Sequence, residues 1–102
     1  MASAFQLLAE PARRQVLDEL RAGDRSVGQL VTALAMSQPA VSKHLRVLRE
    51  AGLATARVEG RRRIYRLRPG GLRELDEWLA PYRAFWNERL DALEDTLDAM
   101  ED

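Results

Sequence analysis

No cysteine occurs in these 102 residues, and histidine occurs only once. A disulfide framework, a thiolate metal site and a thiol nucleophile are therefore excluded, and the usual zinc sites lack nitrogen ligands. Long apolar runs are missing as well. The longest is four residues, Ala33 to Met36, so no segment reads as a membrane span and none after Met1 reads as a signal-peptide core. A cytoplasmic chain without a membrane partner is the expectation. Net charge is also lacking, with 16 basic residues against 16 acidic ones. What is present is ordinary for a globular chain, 46% hydrophobic and 31% charged, so a core can form. At 11.6 kDa the expectation is one domain over residues 1–102.

The zero balance conceals an ordered polarity. Residues 1–36 carry four Arg and four acids, which cancel. Residues 37–68 carry nine Lys and Arg against Glu50 and Glu59, a surplus of seven positive charges, and residues 69–102 carry three Arg against ten acids. A basic centre followed by an acidic last third points to a polyanion partner for the centre. Solvated surface helices are the alternative reading.

Glycines at 23, 52, 60 and 70–71 punctuate the chain. A short helix is expected around Ala4 to Leu8, and a second begins at Pro11, which suits a first helical turn, and runs to Gly23. Ser26-Val27-Gly28-Gln29 reads as a capping box for a third helix, which breaks at Met36-Ser37. Ser37 caps a fourth helix that ends at Gly52. At about 100° per residue, Val41, Leu45 and Leu48 fall on one face of the fourth helix and Pro39, Ser42, Lys43, Arg46 and Glu50 on the other. Leu53 to Val58 and Arg62 to Leu67 read as strands joined across Glu59-Gly60-Arg61. In the second strand, Arg63, Tyr65 and Leu67 share one face, and Arg62, Ile64, Arg66 and Arg68 the other. From Leu72 the helical pattern returns. Trp86, Leu90, Leu93, Leu97 and Met100 follow at steps of four, three, four and three, a heptad seam suited to one side of a helical dimer. Pro81 is expected to divide this stretch into a shorter and a longer helix.

The resulting order, α-α-α-α-β-β-α, is a mainly α fold with a β-hairpin wing, a winged helix-turn-helix. The fourth helix fits a major groove of double-stranded DNA, where Gln38, Ser42 and Lys43 reach base edges and Arg46 a phosphate. Arg61, Arg62 and Arg63 at the hairpin tip would reach the backbone or a minor groove. Ser37 serves first as a cap, although a helix N-terminus also binds phosphate. His44 lies within a helical step of Val41 and Leu48, where it either packs or bonds a phosphate. No nucleophile is spaced to partner it, so no catalytic residue is assigned.

Taken together these segments resemble the ArsR/SmtB winged helix-turn-helix repressors over roughly residues 5 to 100. The likeness is carried by Leu8-Ala9-Glu10-Pro11-Ala12-Arg13-Arg14, by Ser37-Gln38-Pro39-Ala40-Val41-Ser42-Lys43-His44-Leu45, by Leu48-Arg49-Glu50-Ala51-Gly52-Leu53, and by Gly60-Arg61-Arg62-Arg63 with Tyr65 and Leu67. The resemblance implies a bacterial, homodimeric transcription factor, usually a repressor, that binds a palindromic operator, including its own promoter, and is nucleoid-associated when bound. It also implies pairing of protomers through the first and last helices, here Phe5 and Leu8 with Trp86, Leu90, Leu93 and Leu97 in region 72–102. Pro39 joins the DNA-facing set on the same ground.

The departures from the metal-sensing members are as informative. Where those carry cysteines, this chain reads Ser26-Val27-Gly28-Gln29-Leu30-Val31, and its last helix offers Asp91, Glu94, Asp95 and Asp98 without a histidine. Hard cations normally need ligands from more than one element. No metal and no cofactor are therefore expected. The chain resembles the cysteine-free members, for which no common inducer is implied, and its effector stays unassigned. The aromatic group Trp78, Tyr82, Phe85 and Trp86 reads either as interface or as the lining of a ligand pocket. The competing function is a protein-interaction module or antirepressor that docks through the acidic last helix; a small enzyme has no constellation to support it.

Overall fold

A computed structural model describes residues 3–100. Five α-helices and three strands follow one another: α1 (Ala4–Leu8), α2 (Pro11–Ala22), β1 (Arg25–Ser26), α3 (Val27–Leu34), α4 (Gln38–Glu50), β2 (Ala54–Glu59), β3 (Arg62–Leu67) and α5 (Arg73–Met100). A short 3-10 turn at Pro69–Leu72 leads into α5. The expected mainly α architecture with a hairpin wing is present. Its helix starts have the expected chemistry. Pro11 occupies the first turn of α2, where its missing N–H is harmless. At α3, Ser26 Oγ accepts from the Gln29 amide at 3.2 Å while the Gln29 side chain accepts from the Ser26 amide at 2.8 Å, a complete capping box.

Three features depart from the expectation. The strand β1 was not anticipated: Arg25 and Ser26 pair with Tyr65 and Ile64, making an antiparallel sheet of order β1-β3-β2. Two residues carry no periodicity, and this strand exists only because β3 offers it an edge. The helix α3 ends at Leu34, with Ala35 in the left-handed region at φ 53°. Lastly, Pro81 does not divide the last helix, which runs unbroken from Arg73 to Met100. Proline removes only the bond to the Glu77 carbonyl, and both residues are exposed to water. Arg83 reinforces this turn, donating to the Asp76 carbonyl at 3.4 Å and pairing with the Asp76 carboxylate at 2.9 Å.

The core is assembled from α1 to α4 and the sheet. Val16, Leu30, Val41, Leu45, Leu48 and Leu53 are fully buried, each contributing about 1.5–3 kcal/mol by removal from water. Gly52, at φ +77°, turns the chain out of α4, and Gly60, at φ +65°, supplies the positive φ that a two-residue hairpin loop needs. Tyr65 joins this core from one face of β3, whereas Ile64 is 8% exposed on the opposite face. Each face of β3 therefore carries one buried side chain. The helix α5 contains no buried residue and carries the molecule to an extent of 64 Å. The radius of gyration is 18.5 Å, against about 13 Å for a compact chain of this length.

Candidate nucleic-acid interface

The turn Ala35–Ser37 aims α4 outward. Ser37 Oγ accepts from the Ala40 amide at 3.2 Å, so its hydroxyl is used as a cap, as the sequence indicates. Val41, Leu45 and Leu48 anchor the helix from below, leaving Gln38, Pro39, Ser42, Lys43, Arg46 and Arg49 exposed above. The hairpin folds back beside this face. Between them lies a cleft of about 560 Å³ lined by Pro39, Ser42, Lys43, Arg46, Arg49, Arg63 and Tyr65. Four of these seven are cations and none is a carboxylate, so the cleft is a concentrated positive potential beside a helix N-terminus.

Each expected residue can now be placed. Pro39, Ser42, Lys43, Arg46 and Arg63 converge on the cleft, while Gln38 stands exposed at the start of α4. Arg61 is exposed at the hairpin tip. Arg62 points the other way, donating through Nη2 to Ser26 Oγ at 3.1 Å. His44, read from the sequence as either packed or phosphate-bonding, is only 6% exposed, as the packed alternative requires. Arg49 was missed in sequence, although it stands three residues beyond Arg46 and a helical repeat would have put it beside the same groove.

Not every arginine of the basic centre is free. Asp24 accepts from Arg57 Nη1 at 2.8 Å and pairs with Arg66 Nη2 at 3.2 Å, and Arg57 also meets Glu59 at 3.1 Å. Hydrogen bonds from Arg66, then from Arg57, hold the Asp24 carboxyl below its ordinary value, and the Asp24 bond raises Arg57. These charges are spent internally. Among the described residues, Lys43, Arg46, Arg49, Arg61, Arg62, Arg63 and Arg68 of this stretch meet no carboxylate.

The second expected surface lies on α5. Trp86, Leu90, Leu93 and Leu97 are 52%, 59%, 54% and 50% exposed and form one apolar stripe. Trp78, Tyr82 and Phe85 continue it, also about half exposed, so these rings lie open on the surface. The first helix meets the stripe at its near end, where Phe5 stacks edge-on against Trp78 with centroids 5.6 Å apart. Leu8 packs instead against the periphery of the core. Among the described residues, no group of three or more His, Asp and Glu side chains converges in a way that could hold a metal ion. Among the described residues, no helix is long and apolar enough to cross a membrane.

Residues 10–56, from α2 through α4 into β2, match the family described as bacterial regulatory protein, arsR family. The HTH-type transcriptional regulator Rv2034 of Mycobacterium tuberculosis is 39% identical over 99 residues, covering 97% of this chain and 90% of that protein. This chain belongs to the arsR family. It is a DNA-binding transcriptional regulator of that family and not an enzyme. The SmtB repressor of the same organism is 45% identical over 63 residues, 62% of this chain and 47% of the relative. The crystal structure of a possible transcriptional regulator for arsenical resistance superposes with a TM-score of 0.70 at 41% identity, covering 94% of this chain and 97% of the other. A homodimeric winged helix-turn-helix domain from Mycobacterium bovis matches with a TM-score of 0.58 at 33% identity, over 82% and 75% of the two chains.

Proposed function

We propose that this arsR-family chain acts as a homodimeric repressor that pairs through α1 and α5 and binds a two-fold operator, its own promoter included, without a metal ion. In this reading residues 1–102 form one unit, with region 72–102 as its dimerisation element; residues 1, 2, 101 and 102 lie outside the described ones. The observation that carries it is the carboxylate-free cleft between α4 and the wing, which gathers Ser42, Lys43, Arg46, Arg49 and Arg63 at the edge of a major-groove-sized helix. Ser42 and Gln38 supply hydroxyl and amide groups for base edges, and Arg46, Arg49, Arg61 and Arg63 supply phosphate contacts.

The exposed stripe on α5 supports the dimer. Nine large apolar side chains are open to solvent, eight of them on this one helix from Trp78 to Met100, and a second copy is the partner whose stripe has matching spacing. The similarity to a homodimeric domain from Mycobacterium bovis agrees. The missing cysteines, and acids on α5 that no second element joins among the described residues, support a regulator that senses no metal. The site of action is then the bacterial cytoplasm, on the nucleoid.

Footprinting on the tightest duplex recovered from a random-sequence library tests this. Two protected half-sites related by a two-fold axis and spaced by about 10 bp or a multiple are expected. A single or asymmetric half-site would contradict the dimeric reading, and failure to enrich any duplex would favour the protein-interaction alternative.

A further inference from the structure

The two faces of the hairpin are used differently. Arg63 and Tyr65 face the cleft beside α4. Arg62, Ile64 and Arg66 alternate onto the other face of β3, where Arg57 stands opposite Ile64. Three arginines of that second face, Arg57, Arg62 and Arg66, are tied to the short segment around β1. The carboxylate of Asp24, in the link between α2 and β1, takes Arg57 at 2.8 Å and receives Arg66 Nε on both oxygens at 3.3 Å. Two residues later, Ser26 Oγ takes Arg62 while also capping α3. Ile64, on this same face of β3, is 8% exposed.

We infer that Asp24 is a positioning residue for DNA binding, clasping the outer face of the wing so that Arg63 on the inner face stays aligned with α4. The two-residue strand β1 provides too few ladder bonds to fix the roll of a twisted two-stranded ribbon by itself. Two arginines on one carboxylate, anchored 33 and 42 residues away in sequence, fix it from the side. The clasp has a second consequence for recognition. It withholds Arg57 and Arg66 from phosphates, which limits sequence-independent attraction while Arg63 is presented. The inference rests on the DNA reading above.

The test measures binding of the full chain to the library-selected duplex and to a scrambled duplex of equal composition. Asp24→Asn, which keeps the shape and removes the charge, is expected to weaken the selected duplex about fivefold and the scrambled one by a similar factor, because the Arg63 it aligns contacts phosphate in either. In an Arg63→Ala background the same change is expected to alter selected-duplex binding by less than about twofold, because the residue it aligns is gone. Asp24→Glu should restore most of the affinity. An equal loss with and without Arg63, or no loss in either, overturns the inference. Hydrogen exchange of the free protein gives a DNA-independent readout: the hairpin amides should exchange faster in Asp24→Asn while those of α2 and α4 keep their protection. Unchanged hairpin exchange overturns the clasp even if the protein enriches no duplex, an outcome that would instead count against the DNA reading.

Discussion

Residues 4–67 and the helix that follows them solve the burial problem in opposite ways. In the first region six large aliphatic side chains are wholly removed from water, Arg57 and Arg66 are paired with Asp24, and Arg46, Arg49 and Arg63 gather at a cleft. In α5, 28 residues include no buried side chain, and its apolar stripe is about half exposed from Trp78 to Leu97. An isolated helix about 42 Å long gains little from propensity alone. The contrast teaches that the first region closes its own core, whereas α5 leaves an apolar stripe open, which the proposed dimer would cover.

The largest effects should separate these two kinds of apolar residue. Leu48→Ala, in the closed core, is expected to cost about 2–5 kcal/mol in urea unfolding. Leu93→Ala, on the open stripe, should cost the single chain almost nothing. Placing acids at both Leu93 and Leu97 is instead expected to turn dimers into monomers by sedimentation, while the winged helix keeps its circular-dichroism signal. A variant that remains dimeric would put the interface elsewhere.

Next come the arginines. Arg63→Ala should weaken selected and scrambled duplexes alike and lower the slope of log affinity against log salt by about one. Ser42→Ala or Gln38→Ala should narrow the gap between the two duplexes without changing that slope. Equal effects from all three variants would erase the division between phosphate and base contacts.

Smaller effects probe the local structure. Ala35 is the one described non-glycine residue at positive φ, so Ala35→Gly is expected to stabilise the first region by up to about 1 kcal/mol in urea unfolding. For Asp24, the folded carboxyl titrates below its ordinary 3.8, so its contribution is full above that pH and is lost as pH falls through the lower folded value. Acid titration of the wild type should therefore show a loss of stability below pH 3.8 that Asp24→Asn lacks.

How much of this was legible depends on how local each signal is. Capping at Ser26 and Ser37, the start at Pro11 and the hairpin glycine are decided by neighbours within four residues, and all were readable. The polar face of α4 followed from helical spacing, though Arg49 was passed over. What escaped depends on distant partners. The strand β1 exists through β3, and the Asp24 clasp through residues 33 and 42 positions away. Pro81 misled because its rule assumes that the freed carbonyl has no recourse, whereas here it lies in water with Arg83 spanning the turn. For His44, helical spacing put it at the edge of the buried face and left packing and a phosphate bond both open; the 6% exposure comes from how neighbouring elements close over it, which one helix's periodicity does not reveal.

The central claim, that a pair of chains joined by α5 presents two α4–wing clefts to one piece of DNA, is tested most directly by anisotropy titration of the library-selected duplex, with stoichiometry and a salt series. The account predicts two chains per duplex, a strong preference over the scrambled control, and affinity that falls steeply with salt. One chain per duplex, or equal binding to both sequences, would contradict it.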